Sequence, residues 1–336
     1  MYYLLLFIFL ISITYFLNVI VKKKKILIDK RNVLHKSTTG KEHVQIIGGL
    51  VLIISILIFL QNLTLLEKNF LVAIFLIGLF SDLNFITSPK KRILLQIFIV
   101  FFFIYLMKLN ISSTRILLLD WLLENKLFNI FFTTFCILII INGSNFIDGI
   151  NTLNIGYFII IFINLFFLNQ NQNIIIEKEF INYLLIILLF LFLLNSINFL
   201  YLGDGGAYLL GFLSSYYLIK FSNLNINISP YYIILLLWYP AFENLFSIIR
   251  KSFYKKIPLN PDDKHLHQLL FSFLKKKFTL KKYLINTLTG LIINFYNLIV
   301  ISFGSNYYSQ TKILCGLIFI NITIYYLAYR LLKIKK

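Results

Sequence analysis

Apolar residues follow one another in long runs, and short polar stretches separate the runs. Their lengths cluster at roughly 17–21 residues, enough for a helix to cross a hydrocarbon layer ~30 Å thick. Hydropathy predicts eleven spans, near 2–21, 44–61, 69–81, 93–109, 127–143, 153–168, 180–198, 206–221, 230–249, 283–303 and 310–332. The third is the shortest. The first run, Tyr2–Val21, passes into Lys22–Lys25 without a small-residue cleavage site, so it reads as a retained helix and not as a signal peptide. The predicted class is all-α: a polytopic integral membrane protein of about 11 helices, one domain over residues 1–336.

Composition agrees. Of 336 residues 59% are hydrophobic and 13% charged, where a soluble domain carries about 25% charged. A soluble enzyme, a secreted disulfide scaffold and a disordered chain are excluded. Cys136 and Cys315 both lie inside apolar runs, so no disulfide framework or paired-cysteine metal site is expected. The formal charge of +19 comes mostly from lysine, 27 Lys against 5 Arg. Under the eleven-span topology 25 Lys and Arg fall on one side and 7 on the other. The positive-inside rule makes the richer side cytoplasmic, with the N-terminus outside and the C-terminus inside. The Lys22–Lys25 and Lys275–Lys277 runs sit at membrane boundaries, where anionic lipid is the partner and nucleic acid is not. The cytoplasmic loops are about 22–43, 82–92, 143–152, 199–206 and 250–282. No inverted repeat of the transporter kind is visible.

Polar segments that a bilayer does not tolerate idly mark the candidate site. They are GLFSDLNFITSPKKR (78–92), NGSNFIDGIN (142–151), YLGDGGAYLLGF (201–212), PDDKHLHQLL (261–270) and the looser HKSTTGKEHVQIIGGL (35–50). All five, with His35, His43, His265 and His267, fall on the predicted cytoplasmic side. Asp82, Asp148 and Asp204 each end a helix in a chain poor in acid, and three convergent carboxylates without fixed cations repel unless a metal or protons intervene. Oxygen ligands of that kind suit Mg²⁺, which shares itself with substrate phosphates. Gly203, Gly205 and Gly206 allow close backbone approach, and the helix that follows offers its N-terminus to phosphate. Asn142, Asn145 and Asp148 have i, i+3, i+6 spacing and share a helix face. Arg250, Lys251, Lys255, Lys256 and Lys264 flank the HLH triplet, which reads as an anion-binding lid. Each feature has a plainer alternative: Asp82 as a helix cap, Asn142 and Asn145 as interhelical glue, Gly203–Gly206 as a tight turn, the histidines as solvated loop residues, and Gly48–Gly49 as helix packing.

The four ordered motifs, SD at 81–82, NGSNFIDG at 142–149, LGDGG at 202–206 and PDDKHLH at 261–267, resemble those of the polyprenyl-phosphate N-acetylhexosamine-1-phosphate transferases. The resemblance spans almost the whole chain and is nearer the surface-polysaccharide initiating branch than the peptidoglycan translocase. It implies a bacterial cytoplasmic-membrane enzyme that moves a sugar-1-phosphate, such as GlcNAc-1-phosphate, from a UDP-N-acetylhexosamine to undecaprenyl phosphate with release of UMP. It also implies Mg²⁺ (Mn²⁺ as the alternative ion) and, by analogy, a homodimer. Asp204 with Asn145 would hold the metal; Asp82, Asp148 and His265 would serve catalysis. Asn142, Asn145, Gly203, His267 and Lys36 would contact substrate, with His35, Lys36 and Gly48–Gly49 matching a weaker first motif. The chain departs from the pattern at Ser81, where the first acid of a pair stands, at Asn151, at Gln45 in place of a proline, and in HLHQ. Two other classes are set against the transferase: a transporter or flippase of an anionic lipid-linked substrate, and an inactive homologue serving as an assembly subunit.

Overall fold

The computed structural model describes residues 2–28, 44–168, 174–253 and 264–334. Among them are fourteen helices and no strand. They are α1 (Tyr2–Lys24), α2 (Gly48–Phe59), α3 (Leu65–Asp82), α4 (Pro89–Met107), α5 (Leu117–Leu123), α6 (Lys126–Ile147) and α7 (Leu153–Leu168). Then come α8 (Lys178–Ser196), α9 (Gly203–Leu224), α10 (Pro230–Leu236), α11 (Trp238–Phe253), α12 (Leu266–Lys277), α13 (Lys282–Ser305) and α14 (Thr311–Ile334). The all-α membrane class holds. Each of the eleven apolar segments lies on a helix or, for 230–249, on the bent pair α10–α11. Five helices are long and apolar enough to cross a membrane, six if the bent pair is one span.

Helices α7 and α9 form the centre. Every residue from Leu153 to Phe162 is buried, as is almost all of α9, which fits helices apolar on all sides. The outer helices α1 and α14 leave Leu4, Phe7, Phe319 and Ile320 exposed, the lipid-facing surface of a bundle whose solvent is hydrocarbon.

Two ends of α3 fasten it to α9. At its start Thr64 and Glu67 make a capping box, and the Tyr216 hydroxyl of α9 donates to Glu67. At its other end Asp82 reaches the first turn of α9. Between them Gly78 meets Gly205 so closely that a Cβ at Gly78 would stand 2.4 Å from the Gly205 backbone. Gly211 brings α9 against the Ile141 backbone of α6, and Gly143 brings α6 against Pro240 of α11. The Gly48 and Gly49 N–H groups, unpaired donors at the start of α2, bond to the carbonyls of Tyr201 and Leu202 at 2.9 Å. Small residues thus set the backbone distances among α2, α3, α6, α9 and α11.

The 75° break between α10 and α11 has an identifiable cause. Pro240 has no N–H to give the Leu236 carbonyl four residues earlier. That carbonyl accepts instead from the Tyr157 hydroxyl of α7 at 2.9 Å, and Tyr157 in turn accepts from Tyr239 N–H at 3.3 Å. Asparagines tie α7 to α8 and α13. Asn286 Oδ1 accepts from Asn151 N–H at 2.6 Å, Asn195 Oδ1 from Thr152 N–H at 2.6 Å, and Asn294 Nδ2 donates to Thr152 O at 2.8 Å.

Candidate functional site

The ends of α3, α6 and α11 and the starts of α4, α9 and α12 meet at one end of the bundle, carrying the described residues of four of the five polar segments. Of the fifth, Lys36, His35 and His43 lie outside the described residues, as do Lys255, Lys256, Asp262 and Asp263.

The first group forms where α3, α4 and α9 meet. Asp82 accepts from the backbone N–H groups of Asp204 and Gly205, each at 3.2 Å. The anion-seeking start of α9 is therefore occupied by a carboxylate of the chain itself, the capping arrangement that helix dipoles favour. The open phosphate cradle expected there is filled by Asp82. The glycines of this segment are packing residues: Gly203 adopts φ +78° beside Ile46 and Asp82, and Gly206 lies on Gly49. Asp204 Oδ2 accepts from Ser81 Oγ at 2.7 Å and from Arg92 Nη1 at 3.0 Å, while Arg92 also donates to Ser81 Oγ at 2.8 Å. Arg92 and Asp204 are 20% and 24% exposed, so a ligand can reach the pair.

Ser81 stands where a second carboxylate would face Asp204 at hydrogen-bond distance. A neutral donor there removes that repulsion, and Arg92 supplies the cation missing from the sequence reading. Asn151 has a structural post as well. It is 4% exposed, and its amide donates to Asn198 Oδ1 at 3.1 Å.

A second group gathers at the end of α6. Asp148 follows the last turn and accepts from Asn154 Nδ2 at 3.3 Å. His267 is fully buried, and a Cβ on Gly149 would sit 3.4 Å from its Nε2. Its ring stacks on His265 at 5.5 Å and 10°, and among the described residues neither of its nitrogens has a hydrogen-bond partner. His265 packs beside Phe146 at 5.2 Å, with the Lys251 ammonium 6.0 Å from the Phe146 ring centre. Both histidines are buried, contrary to the solvated-loop alternative.

A polar chain links the two groups. One turn beyond Asp204, the Ala207 carbonyl accepts from Ser144 Oγ at 2.7 Å. Ser144 also donates to Asn154 Oδ1 at 3.1 Å, and Asn154 leads to Asp148. Asn142 donates to Gln96 Oε1 at 3.0 Å, one helical turn from Arg92 on α4. Among the described residues the Asn145 side chain makes no hydrogen bond.

The three aspartates do not form one acid cluster, since each has its own fixed partners. Among the described residues no three His, Cys, Asp or Glu stand together as a metal-binding group. Among the described residues the Asp204 Oδ1 oxygen is not engaged by another side chain. One carboxylate oxygen is too small a donor set for a metal cage. It fits an ion that takes one or two protein oxygens and completes its shell with water and substrate phosphates, as Mg²⁺ does.

Burial pushes the His267 imidazole down to about 3, with the Glu243 carboxylate opposing and His265 adding to the shift. The native state then keeps His267 neutral while the unfolded chain protonates it near the ordinary 6.5. Between these values the unfolded state holds more protons, so this residue's contribution to stability is complete above about pH 6.5 and is lost on acidification toward 3. The thermal midpoint of the wild type should fall from pH 7.5 to pH 5, and His267→Phe, which retains an aromatic ring but no titrating group, should fall less. Equal pH dependence in both proteins would refute the assignment.

Sequence reasoning missed Arg92, Gln96, Ser144, Asn154 and Glu243. Arg92 lies in the polar segment 78–92, where the sequence counts it only among the cytoplasmic Lys and Arg. Glu243 is the one acid in the run 230–249, and an ionisable residue inside a span is itself a signal.

Residues 68–222 match the family model described as glycosyl transferase family 4. The match takes in Asp82, Arg92, Asn142–Asn154 and Asp204, and stops short of Glu243, His265 and His267. No curated protein matches the chain.

Proposed function

We propose that this chain, whose residues 68–222 match the glycosyl transferase family 4 model, is a polyprenyl-phosphate sugar-phosphate transferase that moves N-acetylhexosamine-1-phosphate from a UDP-sugar to undecaprenyl phosphate. UMP leaves, and the lipid diphosphate-sugar begins a cell-surface polysaccharide. The observation that carries this reading is the Ser81–Asp82–Arg92–Asp204 junction inside the matched segment. It is a reachable Asp–Arg pair held at a fixed distance by helix ends from three elements. The site would face the cytoplasm of a bacterial inner membrane, with the N-terminus outside and the C-terminus inside.

The lipid phosphate, with a second pKa near 6, is already largely anionic at neutral pH. Direct attack of its oxygen on the β-phosphorus breaks the bond to the UMP oxygen, and no strong base is required. This suits a site where Asp82 is committed to backbone N–H groups and the neighbouring position is Ser81. Arg92 would orient phosphate oxygens through the donors not given to Asp204 and Ser81. Asn142 and Asn145 would line the nucleotide side, with Asp148, His265, His267 and Lys36 completing the donor site. Asp204, with Asn145, would hold Mg²⁺, which offsets charge growing on the leaving UMP.

Purified protein in detergent, given undecaprenyl phosphate, Mg²⁺ and a panel of UDP-N-acetylhexosamines, should release UMP from one donor. Release should require the lipid and stop with EDTA. Folded protein that is silent with every donor would overturn the reading.

A further inference from the structure

His265 is gripped by a carboxylate. Its Nδ1 lies 2.8 Å from Glu243 Oε1, and the Leu266 N–H donates to that same oxygen at 3.4 Å. Glu243 Oε2 accepts from the Tyr325 hydroxyl of α14 at 2.9 Å. Glu243 is 1% exposed and the His265 side chain 7%. A buried carboxylate surrounded by N–H and O–H donors is an acceptor, so the hydrogen-bond network assigns the imidazole proton to Nδ1. Nε2 is the nitrogen left for a ligand.

His265 is the N-cap of α12, in a capping box whose other half is Gln268, its Oε1 accepting from the His265 backbone N–H at 3.1 Å. Glu243 therefore holds the ring and the first turn of α12 together. Among the described residues His267, two residues beyond His265, makes no hydrogen bond to a carboxylate, so Glu243 grips one ring of the stacked pair. Tyr325 is itself fixed: it packs edge-on to Phe242 and Phe246 and stacks parallel to Tyr329. Tyr329 accepts from Arg250 Nη1 at 3.3 Å, so α14 holds α11 at two successive turns.

We infer that Glu243, backed by Tyr325, is a positioning residue: it fixes the tautomer and rotation of His265 so that Nε2 is the ring's working nitrogen toward the UDP-sugar. An imidazole anchored in this way accepts a ligand proton at Nε2. Once protonated it donates from Nε2 to a phosphate oxygen, with Glu243 balancing the charge. This rests on the transferase reading for its substrate, but its geometry can be tested without turnover.

The experiment uses full-length protein labelled with ¹⁵N-histidine in nanodiscs, with His265→Gln identifying the His265 signals. In the wild type they should show the Nδ1–H tautomer. Glu243→Gln should give mixed tautomers, and Glu243→Asp should restore most of the wild-type pattern. In the UMP assay Glu243→Gln should lower kcat by roughly 10–100-fold, more than it changes KM for the lipid, with Tyr325→Phe showing a smaller loss in the same direction. An Nε2–H tautomer in the wild type would overturn the inference, as would a Glu243→Gln spectrum like the wild type's or a kcat loss matched by lost folded protein. A correct tautomer in a protein that releases no UMP would overturn the transferase reading and leave the positioning intact.

Discussion

Asp204→Asn should lower UMP release by about 10²–10³-fold, the loss expected when one preorganised charged group is removed from a reacting phosphate. The substitution preserves shape, and the amide oxygen still accepts from Ser81. What disappears is the charge that holds Arg92 at 3.0 Å. The guanidinium is then left partly buried without its counter-ion, and the oxygen offered to a divalent ion becomes a neutral, weaker ligand. Folding should survive. The side chain is about a quarter exposed, the amide oxygen keeps the Ser81 bond to α3, and the Asp82 bonds to the α9 backbone and the Gly78–Gly205 contact are untouched. The variant should therefore insert in membranes and elute like the wild type. Wild-type turnover in that variant would remove Asp204 from the reaction and the metal assignment with it.

Hydropathy was the legible part of this chain because burial in lipid writes itself into long apolar runs. All eleven runs lie on helices. The break inside 230–249 was half legible, since Pro240 is visible but the Tyr157 hydroxyl that satisfies the Leu236 carbonyl comes from a helix about 80 residues earlier. α12 lies in the predicted loop 250–282, where flanking charge suggests an anion-binding lid and masks the buried Leu269, Phe271 and Leu274. At the site the polar segments were found, while their pairing was not. Asp82 and Asp204 both looked like ligand carboxylates, yet one caps a helix and the other is an ion-pair partner. That distinction depends on which groups lie 112 and 122 positions away in sequence. Arg92 is hidden behind Lys90 and Lys91 in a predicted cytoplasmic loop, and Glu243 within an apolar run. The Gly203–Gly206 run, whose glycines suggest a ligand cradle, proves to be a place where helices touch, as Gly48–Gly49 also is.

That last point sets the largest structural effect. Gly78→Ala should destabilise the protein by about 1–3 kcal/mol, the usual cost of forcing a methyl group into a closed contact. The methyl group would stand 2.4 Å from Gly205 N and Cα and 2.5 Å from Asp204 C. Those are backbone atoms in the first turn of a buried helix, so no side chain can rotate away and α3 and α9 must separate. Separation also moves Ser81 and Asp82 from Asp204, and a shift of about 1 Å at a reacting centre can cost 10²-fold in rate. Activity should thus fall further than the share of folded protein does. Gly316→Ala makes the same change on α14, where a Cβ meets nothing within 4 Å. It should leave the thermal midpoint and turnover unchanged or raise the midpoint slightly, since alanine favours a helix. Should the two variants melt together at the wild-type temperature, the close contact of α3 with α9 would be wrong, and the placement of Asp82 at the start of α9 would fall with it.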